Sequence, residues 1–318
     1  MSALNRLLRE GTFQRARIMN GYAHQNYATS LTEFGDVYEL SRSGGWILKR
    51  KIPGLPYYDA MGCYPLFACQ DWSPISYDLE AIAKEVVTLS LVADPFGNYT
   101  HSFLQKCFDR VIRFKEHFVV DLNLPVKDVV TKHHRYYARK SLQDVTVECN
   151  TDPVQFTDEW VQLYDNLIRK YHLRGIKSFS PKAFVLQLSV PGIVMFRAFA
   201  GDVLVGAHLW YIQGEVAYSH LSALSPEGYE IMASYALYWS ALDYFAGKVR
   251  WLDLGGTAGL RVDNASGLDN FKKGWSSGTK TAYFCGRIFD HARYKDITES
   301  KGINNTEYFP AYRTGEFV

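Results

Sequence analysis

Three apolar runs, residues 194–200, 203–212 and 215–222, follow one another with only Gly201-Asp202 and Gln213-Gly214 between them. Connections this short join antiparallel neighbours, because parallel strands need a crossover of a dozen residues or more. The junction Phe199-Ala200-Gly201-Asp202-Val203 is a tight-turn signal, with glycine free to take positive φ. The pattern therefore predicts an antiparallel meander in the second half of the chain.

Helices and further strands surround it. Alternating apolar or β-branched residues predict strands at 36–40, 46–51 and 116–122. Leu79, Ile82, Ala83, Val86, Val87 and Ser90 recur at helical spacing, which predicts a helix over 79–93, and Phe103, Cys107 and Val111 predict another over 102–111. After Pro125, residues 126–142 read as one long basic helix leading into a strand at 145–149. Phe156, Trp160, Leu163, Tyr164, Leu167 and Tyr171 share one helical face, and Ser180-Pro181 is an N-cap followed by proline at the first helical position. A turn at Ser225-Pro226-Glu227-Gly228 precedes a helix carrying Tyr229, Met232, Ala233, Ala236, Leu237, Ser240, Ala241 and Tyr244, then a strand at 251–254 and a final hairpin. The order predicts an α/β (α+β) chain of mixed sheets flanked by helices, with its main boundary near residue 144.

Composition narrows the function. The 318 residues are enough for two cores, and 47% hydrophobic with 21% charged residues indicates a globular chain. A net charge of +2 is far from the basic balance of a dedicated nucleic-acid binder, so DNA is not expected as a partner. Cys63, Cys69, Cys107, Cys149 and Cys285 are odd in number and lack metal-ligand spacing, which suits free thiols in a reducing cytoplasm and predicts no metal site. The N-terminus lacks a secretory pattern and no apolar run is long enough to span a bilayer. No Gly-x-Ser-x-Gly elbow, Walker loop or His-Glu-x-x-His helix occurs.

The stretch from Trp251 to Trp275 reads as a site. Its strand ends at Asp253, Gly255 and Gly256 allow a sharp turn, and Lys272 and Lys273 follow Phe271. An ammonium fixed beside an aromatic anchor is what acyl transfer needs where negative charge develops on a carbonyl oxygen. A surface hairpin with solvated lysines explains the same residues. His133 and His134 are adjacent and read as basic surface rather than metal ligands. His208 and His220 lie on strands, as structural residues or as a base near an acceptor amine. Tyr57, Tyr58, Asp71 and Trp72 line an acceptor groove or simply pack.

Four segments carry a family resemblance: His134-Arg135-Tyr136-Tyr137-Ala138-Arg139-Lys140, Gly206-Ala207-His208-Leu209, Trp251-Leu252-Asp253-Leu254-Gly255-Gly256 and Phe271-Lys272-Lys273-Gly274-Trp275. With the element order, they make the chain similar to the Fem aminoacyl ligases and FemAB-like acyltransferases of the GNAT fold, in detail over residues 115–285. The resemblance implies two GNAT-like domains, 1–144 joined by a returning tail at 287–318, and 145–286. It implies an N-acyltransferase that moves an aminoacyl or acyl group to an amine on a small molecule, peptide or cell-envelope precursor. Aminoacyl-tRNA, through its acceptor end, or acyl-coenzyme A would be the co-substrate, with no tightly bound cofactor. By the same resemblance Lys272 stabilises the oxyanion or leaving group, Phe271 anchors it and Asp253 shapes the wall. Gly255, Gly256, Lys273, Arg135, Arg139 and Lys140 would touch the donor, and Tyr57, Tyr58, Asp71, Trp72, His208 and His220 the acceptor. One departure bears on the donor: residues 225–233 carry Glu227 and Glu230 and no glycine pair where GNAT domains cradle a pyrophosphate. A GNAT-like module that binds such a precursor or peptide without chemistry is the alternative.

Overall fold

The computed structural model describes residues 19–256, 267–303 and 306–316. Among the described residues the strands join one mixed sheet in the order β1-β2-β3-β4-β11-β5-β10-β9-β8-β7-β6. In chain order these are β1 (Asp36–Leu40), β2 (Gly45–Lys51), β3 (Tyr58–Gly62), β4 (Thr88–Ala93), β5 (Arg110–Asp121), β6 (Thr146–Asn150), β7 (Ile193–Ala200), β8 (Val203–Gln213), β9 (Val216–Leu224), β10 (Trp251–Asp253) and β11 (Gly278–Ile288). The helices that position the site are α1 (Lys132–Asp144), α2 (Thr157–Tyr171), α3 (Pro181–Leu188), α4 (Ala233–Phe245) and α5 (Gly267–Lys273).

The meander forms as the turns dictate. β7, β8 and β9 pair antiparallel, and Gly201 and Gly214 hold φ of +57° and +60° in their turns. β8 lies inside the sheet and is buried on both faces. Leu209 and Tyr211 face a core with Trp160 and Tyr164 of α2 and Phe184 of α3, while Trp210 faces a second core with Leu237, Ala241 and Phe245 of α4. Each large side chain fully removed from water contributes about 1.5–3 kcal/mol, so these two layers fix the helices on opposite faces. The hydroxyl of Ser180 accepts from Ala183 N–H at 3.2 Å and Pro181 opens α3.

Several elements differ from the sequence expectation. The segment 79–93 divides into a helix at Ile75–Ile82 and strand β4, because Val86-Val87-Thr88 begins a β-branched run that the sheet buries. The helix expected at 102–111 ends at Cys107, and Val111 lies in β5. The long basic helix breaks at Val130-Thr131, where the Thr131 side chain caps α1 by accepting from His134 N–H. Met232 takes a left-handed conformation, φ +57°, and separates Pro226–Glu230 from α4. In place of a hairpin, Gly267–Lys273 is helical and leads into β11, which inserts between β4 and β5.

Among the described residues no helix is long and apolar enough to cross a membrane, and no cluster of three or more His, Cys, Asp or Glu side chains could hold a metal ion. The five cysteines carry no disulfide, and Cys63, Cys107 and Cys285 are buried.

Candidate active site

Strand β10 is three residues long, and its brevity opens the site. It pairs in parallel with β9 only from Val216 to Tyr218, although β9 runs on to Leu224. On its other side it continues along β5, where Leu254 N–H bonds Phe118 O at 2.9 Å and Phe118 N–H bonds Gly255 O at 3.2 Å. Beyond Asp253 the sheet therefore splits, with Ser219–Leu224 on one side and the Leu254-Gly255-Gly256 turn on the other. Gly255 makes that turn with φ of +79°.

Asp253 stands at the head of the split and is only 2% exposed. Its carboxylate accepts from Gly255 N–H at 2.7 Å, and its two oxygens lie 2.9 and 3.0 Å from His117 Nδ1. His117 reaches it because positions 117 and 119 share one face of β5 and Asp253 is in register with Val119. On the same face Tyr218 is in register with Asp253, and its hydroxyl donates to Asp94 at 2.8 Å. Burial pushes the Asp94 carboxyl up to about 6, against the bonds from Phe96 N–H and Tyr218.

Lys272 enters from the last turn of α5. It is 9% exposed, and its Nζ donates to Gly256 O at 2.8 Å. Burial pushes the ammonium down to about 8; Asp253 opposes that shift, Lys115 adds to it and Asp269 opposes it. Lys115 also borders the turn: a Cβ on Gly256 would sit 3.1 Å from Lys115 Cβ and 3.2 Å from His117 Cδ2. Burial also lowers the Lys115 ammonium. Phe271 packs its ring against Tyr235 and Tyr238, each at 5.0 Å between centroids, so α5 is pinned one residue before the lysine.

The structure thus brings together Lys272, Phe271, Asp253, Gly255 and Gly256. Lys273 is exposed at the end of α5. Arg135 donates its guanidinium to the Lys127 carbonyl at 2.8 Å and to that of Val130, holding the break before α1, and Arg139 and Lys140 point outward. His208 and His220 are buried in the sheet. His208 Nε2 lies 2.8 Å from Ser219 Oγ, and His220 bridges Tyr22 and Gln187 at 3.2 Å each. Burial pushes both imidazoles down to about 3, with Lys272 adding to the shift at His208, so both rings are neutral. Tyr57, Tyr58, Asp71 and Trp72 occupy the start of β3 and the region beyond it, and β4, β11 and β5 lie between β3 and β10. There Trp72 packs on Phe67 and Tyr99, Asp71 caps Ser73 N–H, and Tyr57 and Tyr58 sit under Arg293 and Lys49.

Sequence reading passed over His117, Lys115 and Asp94, and took His134 for basic surface. His117 is one more residue of a strand until the β5–β10 register is known. His134 is buried rather than on a basic surface: its Nε2 donates to Phe271 O at 3.0 Å and its Nδ1 accepts from Thr131 Oγ1 at 2.8 Å. It ties α1 to the segment that carries Lys272.

Residues 130–273 match the family model described as an acetyltransferase (GNAT) domain. Among solved structures, FemX aligns at 14% identity and a TM-score of 0.62, covering 86% of this chain and 93% of that one. The C-terminal domain of a putative lysylphosphatidylglycerol synthetase from Agrobacterium fabrum aligns at 16% identity and 0.62, covering 88% and 94%. L-PGS from Bacillus licheniformis aligns at 16% identity and 0.55, covering 91% and 99%. No curated protein matches the sequence. The protein therefore shares its fold with FemX and these synthetase structures, and residues 130–273 within it match a GNAT domain.

Proposed function

We propose that this protein transfers an aminoacyl or acyl group from an activated ester or thioester to an amine, with Lys272 stabilising the charge that develops on the reacting carbonyl or on the leaving group. The observation that carries the reading is the buried Lys272 ammonium, held on Gly256 O where the sheet splits. A cation in a water-poor site, fixed before the reaction begins, acts on developing charge with little reorganisation. The donor is aminoacyl-tRNA or acyl-coenzyme A, and exposed Arg139, Lys140 and Lys273 are available to its phosphates. The acceptor is an amine on a small molecule, peptide or envelope precursor, bound between residues 1–144 with 287–318 on one side and 145–286 on the other.

The test is to offer acyl-coenzyme A and charged tRNA with a panel of amines and to detect the amide by mass spectrometry. Amide formed by the wild type and not by Lys272→Met is the expected result. Binding of either donor with no amide from any amine would favour a non-catalytic binding module.

A pH profile follows from the same residue. Lys272 acts as the protonated ammonium, and burial sets its titration near 8. The rate is therefore expected to fall as pH rises through about 8, and Lys272→Arg, which stays protonated, is expected to abolish that alkaline limb. An unchanged limb in active Lys272→Arg would show that another group titrates.

A further inference from the structure

We propose that, within the acyl-transfer reading above, His117 takes the proton from the attacking amine, with Asp253 as the residue that orients it. Asp253 accepts from Gly255 N–H at 2.7 Å and turns both of its oxygens to His117 Nδ1 at 2.9 and 3.0 Å, so its carboxylate is the acceptor of the pair. The His117 nitrogen facing it, at 2.9 Å, therefore carries a hydrogen. In a neutral ring the lone pair is then on Nε2. Among the described residues Nε2 has no hydrogen-bond partner, and it is not one of the buried side-chain atoms sealed from solvent without one. Asp253 thus does for His117 what a buried carboxylate does in any acid–base dyad: it fixes the tautomer, holds the ring plane and stabilises the imidazolium that forms.

The turn places this base beside the charge stabiliser. The Gly256 carbonyl holds Lys272 Nζ at 2.8 Å, while a Cβ on the same residue would lie 3.2 Å from the His117 ring. One glycine therefore separates a group suited to take a proton from a group suited to hold negative charge. A Cβ on Gly256 would be tight against both His117 and Lys115, so a side chain there would push the base and its neighbouring cation out of place by a few tenths of an ångström.

The step balances with these groups alone. The amine nitrogen bonds to the carbonyl carbon as one of its protons passes to Nε2, and the carbonyl oxygen becomes an oxyanion facing the Lys272 ammonium. Collapse of the tetrahedral species breaks the carbon–oxygen bond of an ester or the carbon–sulfur bond of a thioester. The imidazolium gives its proton to the departing oxygen or sulfur. Amine and ester or thioester become amide and alcohol or thiol, and both side chains return to their starting states.

The assignment is tested with His117→Asn, whose amide can keep the bond to Asp253 while lacking a basic nitrogen. Acyl-coenzyme A and aminoacyl-tRNA serve as donors, with n-butylamine and hydroxylamine as acceptors; hydroxylamine is weakly basic and attacks without strong base assistance. Transfer to n-butylamine is expected to fall by about 10²–10⁴ and transfer to hydroxylamine by less than about tenfold, with an unchanged circular-dichroism melt. If His117→Asn does not fold, His117→Gln gives the same comparison. Equal losses with both acceptors, or a loss below about threefold with n-butylamine, would overturn the role of His117 while leaving acyl transfer standing. A wild type that uses neither acceptor with either donor would overturn acyl transfer, and this role with it.

Discussion

Replacing Lys272 by methionine is expected to slow transfer by about 10²–10³ and, at pH 7, to leave the protein more stable than the wild type. The two effects share a cause. Burial lowers the ammonium from its ordinary 10.5 to about 8, which means that the folded state binds this proton less tightly than the unfolded chain does. Below the folded value both states are protonated, and the full cost of burying the charge falls on the fold. Between 8 and 10.5 the folded state sheds its proton first, the cost shrinks with rising pH, and above 10.5 it is gone. A shift from 10.5 to about 8 corresponds to about 3 kcal/mol. Losing the bond to Gly256 O returns roughly 1 kcal/mol or more of that, so a net gain of about 1–2 kcal/mol is expected at neutral pH. Methionine keeps the stem of the side chain and leaves no large void. Urea titrations of both proteins at pH 7 and 10 are the check, with the gap between them closing at the higher pH. A variant less stable than the wild type at pH 7 would show that the ammonium is held by more than it costs.

Gly274→Ala is expected to be the most damaging single-methyl change near the site, at about 3 kcal/mol. A Cβ at 274 would fall inside the His134 ring, nearer to its Cε1, Nδ1 and Nε2 than any carbon can approach. The ring has no room to retreat. Its two nitrogens are engaged by Thr131 and the Phe271 carbonyl, and Phe271, Tyr235 and Trp275 surround it at 5.2–5.6 Å between centroids. Thr131 N–H also donates to Gly274 O at 3.0 Å, so the backbone there cannot shift without loosening the cap of α1. The cause is isolated by a double-mutant cycle with His134→Ala. With the ring gone, alanine at 274 is expected to add less than about 0.5 kcal/mol, a strong departure from additivity. Additive losses would place the strain elsewhere.

Legibility of the chain followed the range of the interactions. The meander was readable because Gly201 and Gly214 sit at fixed short spacing between apolar runs, and the cap of α3 because Ser180-Pro181 is local chemistry. The helix expected over 79–93 fails because helical spacing and a buried strand share many positions, and what decides is pairing with β11, nearly two hundred residues onward. The site divides in the same way. Asp253, Gly255 and Gly256 are near neighbours in sequence, and Phe271 and Lys272 join them through a recognisable segment. His117 lies 136 positions from Asp253, and only the register of two strands reveals the pair. His134 and Gly274 likewise stand in separate segments of the sequence, and only the fold shows that one fills the space that a side chain on the other would need.

The place of β11 sets an order on assembly. β4 and β5 are close in sequence, yet in the finished sheet a lane separates them that only residues 278–288 can occupy. A nascent chain that has left the ribosome only as far as residue 277 holds two strand edges open toward each other, and such edges invite pairing with other chains. The sheet around β4 and β5 therefore cannot close until residues 278–288 have been made, and a chaperone that shields those edges would raise the yield of native protein.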